Sequence, residues 1–141
     1  MRPHLNVVTL AVDDLDRSLA FYRDGLGLAT DGIVGEEFVG SVELPAGRSA
    51  MFTLDGGLVL SLYPRTELAK DAHLETGRTA GSGFSLGYVV DTREEVDDLL
   101  AEVTRAGGEI TAPPHERPWG IYSGYFADPD GHLWEVVCFS S

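Results

Sequence analysis

Tyr125-Phe126-Ala127-Asp128-Pro129-Asp130-Gly131-His132-Leu133-Trp134-Glu135-Val136 is a hairpin written in sequence. In its centre Pro129 presets the first turn dihedral, the aspartates accept from nearby backbone N–H groups, and Gly131 can take a positive φ. The apolar runs on either side, Ser123 to Ala127 and Leu133 to Phe139, therefore read as paired strands. Upstream, Glu109 to Ala112 is a short strand candidate, and Gly107-Gly108 ends a helix whose Val96, Leu99, Leu100 and Val103 share one face. Thr92 with Glu95 three residues later forms a capping box in front of that helix, and Phe84 to Val90 is the strand before it. The order is strand, helix, three strands.

The first half repeats that order. Val7 to Val12 is an apolar, β-branched run ended by Asp13-Asp14, after which Leu15, Leu19 and Tyr22 fall at helical spacing. Gly25 and Gly27 stop the helix. Extended stretches follow at Ile33 to Glu37, Ser49 to Leu54 and Leu58 to Tyr63, the last two flanking the turn Asp55-Gly56-Gly57. Val12-Asp13 thus corresponds to Val90-Asp91, and Gly57 to Leu62 corresponds to Gly131 to Val136. The expected architecture is α+β: one domain over residues 1–141 made of two tandem βαβββ modules, 4–64 and 84–140. The linker, 65–83, is polar, with a short helix over Thr66 to Leu74, and serves as a spacer or as a lid.

The chain of 141 residues is long enough to bury about two thirds of its unfolded surface. Ten Lys and Arg stand against 23 Asp and Glu, a net charge of −13. Such a balance argues against a nucleic-acid backbone or an anionic membrane as partner and suits a cationic ligand. A single Cys138 allows no intrachain disulfide. The N-terminal stretch, broken by Asn6, Thr9 and Asp13-Asp14, lacks a signal-peptide pattern, and no apolar run has membrane-spanning length. A cytoplasmic protein is expected.

Val8-Thr9-Leu10-Ala11-Val12-Asp13-Asp14-Leu15-Asp16-Arg17-Ser18-Leu19-Ala20-Phe21-Tyr22 with Gly25-Leu26-Gly27-Leu28 resembles the opening of a vicinal oxygen chelate protein, and Tyr125 to Val136 resembles its closing hairpin. This is the superfamily of glyoxalase I, the bleomycin-resistance proteins, the fosfomycin-resistance enzymes and the extradiol dioxygenases. The resemblance implies modules whose mixed sheets curl around a cleft, commonly in a homodimer. It also implies, in metal-dependent members, ligands on the first and last strands of each module, where a divalent ion holds two adjacent substrate oxygens.

Counted along those motifs, the four ligand positions fall on Val7, Ser61, Ser85 and Glu135. Valine cannot ligate, and a serine hydroxyl is a poor ligand beside a carboxylate. No metal or other cofactor is expected, with a divalent metal as the alternative. His4 is offset to the opposite face from Val7, His132 faces away from Glu135, and His73 and His115 fall in loops.

The candidate ligand-binding set is Val7, Thr9, Phe38, Phe52, Val59, Ser61, Tyr63, Ser85, Trp119, Tyr122, Tyr125 and Glu135. Alternation along the strands puts Val59 and Tyr63 with Ser61, Leu133 and Val137 with Glu135, and Leu60 and Trp134 toward the helices. Trp119 follows Pro113 to Pro118, read as a stiff loop. Cys138, between Val137 and Phe139, reads as a small buried hydrophobe. The expected activity is metal-independent binding of a small cationic or aromatic organic molecule, of the drug-sequestering kind. The alternatives are a metal-dependent lyase, isomerase or dioxygenase, and a metal-independent enzyme with Glu135 as its base.

Overall fold

A computed structural model of the chain describes residues 2–3, 5–73, 85–117 and 120–139. It divides into two compact units, the first carrying the first four strands and the second the last four. In the first unit β1 (Val7–Val12), β2 (Ile33–Val34), β3 (Ser49–Thr53) and β4 (Val59–Pro64) form a mixed sheet in the order β1-β4-β3-β2. In the second, β5 (Leu86–Val90), β6 (Glu109–Arg117), β7 (Ile121–Ala127) and β8 (Leu133–Cys138) form a sheet in the order β5-β8-β7-β6. Each pairs its first strand parallel to its last and the remaining strands antiparallel, the βαβββ arrangement expected from sequence.

Helix α1 (Leu15–Leu19) is capped by Asp14, whose carboxylate accepts from the Arg17 N–H, and continues as a π-helical turn over Ala20–Gly25. That wider turn lets the adjacent Phe21 and Tyr22 both be buried, edge to face at 5.0 Å. Beneath the helix lie Leu10, Ala50, Phe52, Leu60 and Leu62, all fully buried, with Tyr22 and Phe52 rings 5.9 Å apart. Helix α3 (Arg93–Ala106) buries Val96, Leu100 and Val103. Its capping box forms, with Thr92 Oγ1 accepting from the Glu95 N–H; the Glu95 carboxylate accepts from the Asp91 N–H. Gly107 ends it at φ 98°.

Two strand expectations change, and with the second the placement of His115. The Ile33 to Glu37 strand shrinks to Ile33–Val34, because Gly35 turns at φ 77° and its α-carbon packs directly on the Gly47 carbonyl, leaving no room for a side chain. The short strand at Glu109 extends through Pro113-Pro114 to Arg117, so His115 lies on a strand and not in a loop. Prolines cannot donate to a ladder, and they are accommodated here because β6 is the edge strand and shifts register between Ile110 and Ala112 and again between Ala112 and His115. The linker opens with α2 (Arg65–Ala72), close to the expected helix; its residues 74–83 lie outside the described ones.

Helix α2 and β4 hold the connection between β2 and β3. Glu67 Oε1 accepts from the Ala46 N–H at 2.8 Å, the Tyr63 hydroxyl donates to the Ala46 carbonyl, and Lys70 Nζ donates to the Ser41 carbonyl at 2.9 Å. The Ala46 N–H is the main influence holding the Glu67 carboxyl below the usual carboxylate range, helped by Thr66 and Lys70. Because its folded pKa is the lower one, Glu67 contributes stability above the ordinary carboxylate range, and loses it as pH falls through the depressed value. Glu67→Gln should therefore cost about 1.5 kcal/mol at neutral pH. Thermal melts of both proteins from neutral to acid should converge at the acid end; a constant gap would contradict the assignment.

Candidate functional site

In the second unit the strand registers place Gly87, Glu135 and Tyr125 side by side across β5, β8 and β7. Residues directly opposite each other share a face, so the three lie together. The opposite face belongs to α3: Gly124 abuts Leu100, and Phe126 stacks on Trp134 with centroids 5.8 Å apart. Glu135 therefore stands on the face away from the helix, as the alternation predicts, with Leu133 and Val137 on the same side.

Glu135 and Tyr125 are each half-buried, and among the described residues neither side chain meets a hydrogen-bond partner. Space adjoins them at Gly87, where a Cβ would touch nothing within 4 Å. Val89, two residues along β5, is 61% exposed, whereas Val137 and Ser123 in its row are buried. The accessible part of the face is thus the Gly87–Glu135–Tyr125 row, with Val89 at one margin and the half-buried Leu133 at the other. Ser85, immediately before β5, is exposed.

The equivalent row of the first unit is Thr9–Ser61–Met51 across β1, β4 and β3. Val7 and Val59 pair in the neighbouring row, and Tyr63 pairs with Ala11. These residues share the face away from α1, as expected. The row offers two hydroxyls and a thioether, and no charge.

Other members of the expected set lie elsewhere. Phe52 is fully buried against Tyr22 beneath α1, because it pairs with Leu60 and not with Ser61. Tyr122 pairs with Cys138 on the α3 side, where its hydroxyl donates to Asp97 at 2.6 Å and Arg93 lies over its ring; the Asp97 bond is the main reason its pKa is raised. Phe38 is 63% exposed in the β2–β3 connection, and the Tyr63 hydroxyl is committed to Ala46. Trp119 and His4 lie outside the described residues. Cys138 is buried, its Sγ 3.4 Å from the Asp91 carbonyl. His132 belongs to the hairpin: its Nδ1 lies 2.9 Å from the buried Asp128 carboxylate, which also accepts from the Asp130 and His132 N–H groups. Gly87 was not singled out from sequence. A lone glycine in the apolar run Leu86-Gly87-Tyr88-Val89-Val90 is the signal that points to it.

The donor chemistry does not fit a divalent cation in either unit. The first supplies a hydrocarbon, Val7, and a neutral hydroxyl, Ser61; the second supplies the hydroxyl of Ser85 and one carboxylate, Glu135. Among the described residues no group of three or more His, Cys, Asp or Glu is placed to hold a metal ion.

The curated protein YraH of Bacillus subtilis, described as uncharacterized, is 26% identical over 130 residues, covering 92% of this chain and 93% of that one. A solved glyoxalase-related enzyme from Fulvimarina pelagi superposes with a TM-score of 0.78 at 28% identity, over 96% of this chain and 88% of the other. A lactoylglutathione lyase from Agrobacterium tumefaciens superposes with a TM-score of 0.61 at 25% identity, over 96% and 92%. The family model described as Glyoxalase/Bleomycin resistance protein/Dioxygenase superfamily matches residues 4–136. With that match, two βαβββ units and the closing hairpin in register, the chain belongs to the Glyoxalase/Bleomycin resistance protein/Dioxygenase superfamily.

Proposed function

We propose that this protein binds a small organic molecule on the Glu135 face without a divalent metal, as a sequestering protein, and acts as a homodimer in the cytoplasm. The observation that carries the reading is Glu135 itself. It is the one carboxylate among the four positions that the resemblance assigns to metal, and its oxygens have no hydrogen-bond partner among the described residues. A half-buried carboxylate in that state is available to a ligand group. The net charge of −13 favours ligands that are cations. The homodimer draws support from Phe38, Val39, Val42 and Leu44, apolar side chains exposed along a connection that α2 holds in place. The cytoplasmic assignment draws on the lone, buried Cys138.

A second reading, a metal-independent enzyme, rests on the same carboxylate. Beside Tyr125 it has the composition of a base with a neighbouring proton donor. In that case turnover would accompany binding, and Glu135→Gln would abolish it.

Metal analysis of untagged protein, followed by titration with nickel, zinc, manganese and iron(II), tests the proposal. The expected result is substoichiometric metal and no stabilisation by any of the four ions. A panel of cationic and aromatic organic molecules should raise the melting temperature, since a ligand at a hundred times its Kd adds about 2.7 kcal/mol. Stoichiometric metal, or a panel without any stabilising member, overturns it.

A further inference from the structure

The row Gly87–Glu135–Tyr125 has the makings of a subsite for one chemical group. Glu135 offers a carboxylate without a hydrogen-bond partner among the described residues, and Tyr125, directly across the strand pair, offers a second acceptor and a ring face. Cross-strand neighbours of this kind have Cβ atoms about 5 Å apart, close enough for one small group to touch both. On the other flank Gly87 brings no side chain, so the surface beside the carboxylate is open where any other residue would place carbon. Beyond it Val89 presents apolar surface.

We infer that this row binds a primary or secondary ammonium group carried on an apolar chain, with the bare strand surface at Gly87 leaving the carboxylate open to it. The inference rests on the proposed function and names its ligand class. The ammonium N–H groups donate to the Glu135 carboxylate and to the Tyr125 hydroxyl oxygen. The adjoining methylenes lie over Gly87 and along Val89. An ammonium fits this set because the acceptors outnumber the donors: a neutral alcohol can satisfy one of them, and an anion none. A quaternary ammonium carries no N–H to donate, so it leaves both acceptors without a hydrogen bond. The glycine is not required by the backbone, since its φ is not in the left-handed region, and its openness is therefore a property of the surface.

Phenylbutylamine and its uncharged counterpart phenylbutanol are the probes, titrated into the isotopically labelled full-length protein and followed through backbone amide shifts. Phenylbutylamine should shift Gly87, Tyr125 and Glu135 and leave Thr9, Ser61 and Met51 unmoved. Phenylbutanol should bind about tenfold more weakly. Glu135→Gln should bring the amine down to the alcohol's affinity. Gly87→Val, a substitution a strand accepts, should weaken the amine by about tenfold although the carboxylate remains. Equal binding of amine and alcohol on this face overturns the ammonium assignment and leaves the reading as an organic-molecule binder in place. An unaffected Gly87→Val overturns the role given to the open surface there. Silence from both probes on this face overturns the inference outright, and if the protein also takes up stoichiometric metal the proposed function falls with it.

Discussion

Phe52→Ala should destabilise the first unit by about 3–5 kcal/mol, among the largest effects of any single substitution in the chain. The ring is fully buried beneath α1, 5.9 Å from that of Tyr22 and level with Leu60 of the neighbouring strand. Truncation removes the ring's transfer free energy and leaves a cavity lined by side chains in fixed strands, which have little freedom to close it. Denaturant unfolding followed by tyrosine fluorescence should show an earlier midpoint. The residue had been a candidate for ligand contact, and the two roles predict opposite results. A variant that keeps its unfolding midpoint while losing ligand would put Phe52 on the binding face and contradict the packing described.

Gly124→Val should cost about 3 kcal/mol in the second unit. A Cβ there would lie 2.6 Å from Leu100 Cδ1 and 3.0 Å from both the Ala112 carbonyl oxygen and the Pro114 nitrogen. The leucine tip can rotate, but it is packed under α3, and the two backbone atoms belong to the irregular part of β6. Gly87→Val, in the same sheet, meets nothing within 4 Å and exchanges a poor strand former for a good one, so it should be neutral or mildly stabilising. Thermal melts of the pair decide the matter. Similar losses in both would mean that the cost comes from the backbone and not from the approach of α3 to β7.

Much of this was legible in the residues. The turn Asp128-Pro129-Asp130-Gly131 and the cap at Thr92 are local chemistry, read without knowledge of the fold, and both form as written. Alternation along β8 correctly put Glu135 and Trp134 on opposite faces. Phe52 is not placed by such reasoning, because Met51 and Phe52 are both apolar and pattern alone does not say which of the two faces the helix. Tyr122 could have been placed from sequence: it is an odd number of residues from Tyr125, so the two cannot share a face on a regular strand. The extension of β6 was hidden because prolines signal loops, and only the edge position makes them tolerable. Gly87 is signalled in the sequence only as a lone glycine in an apolar run, because what it contributes to the face is a missing side chain.

The two units place Ser61 and Glu135 at equivalent points, each on the last strand of its sheet and flanked by the first strand and the neighbouring hairpin strand. A duplicated scaffold offers such a position twice, and here the copies have diverged so that a carboxylate stands at only one. A molecule that depends on that carboxylate consequently has one address per polypeptide, and calorimetric titration should saturate at a single equivalent.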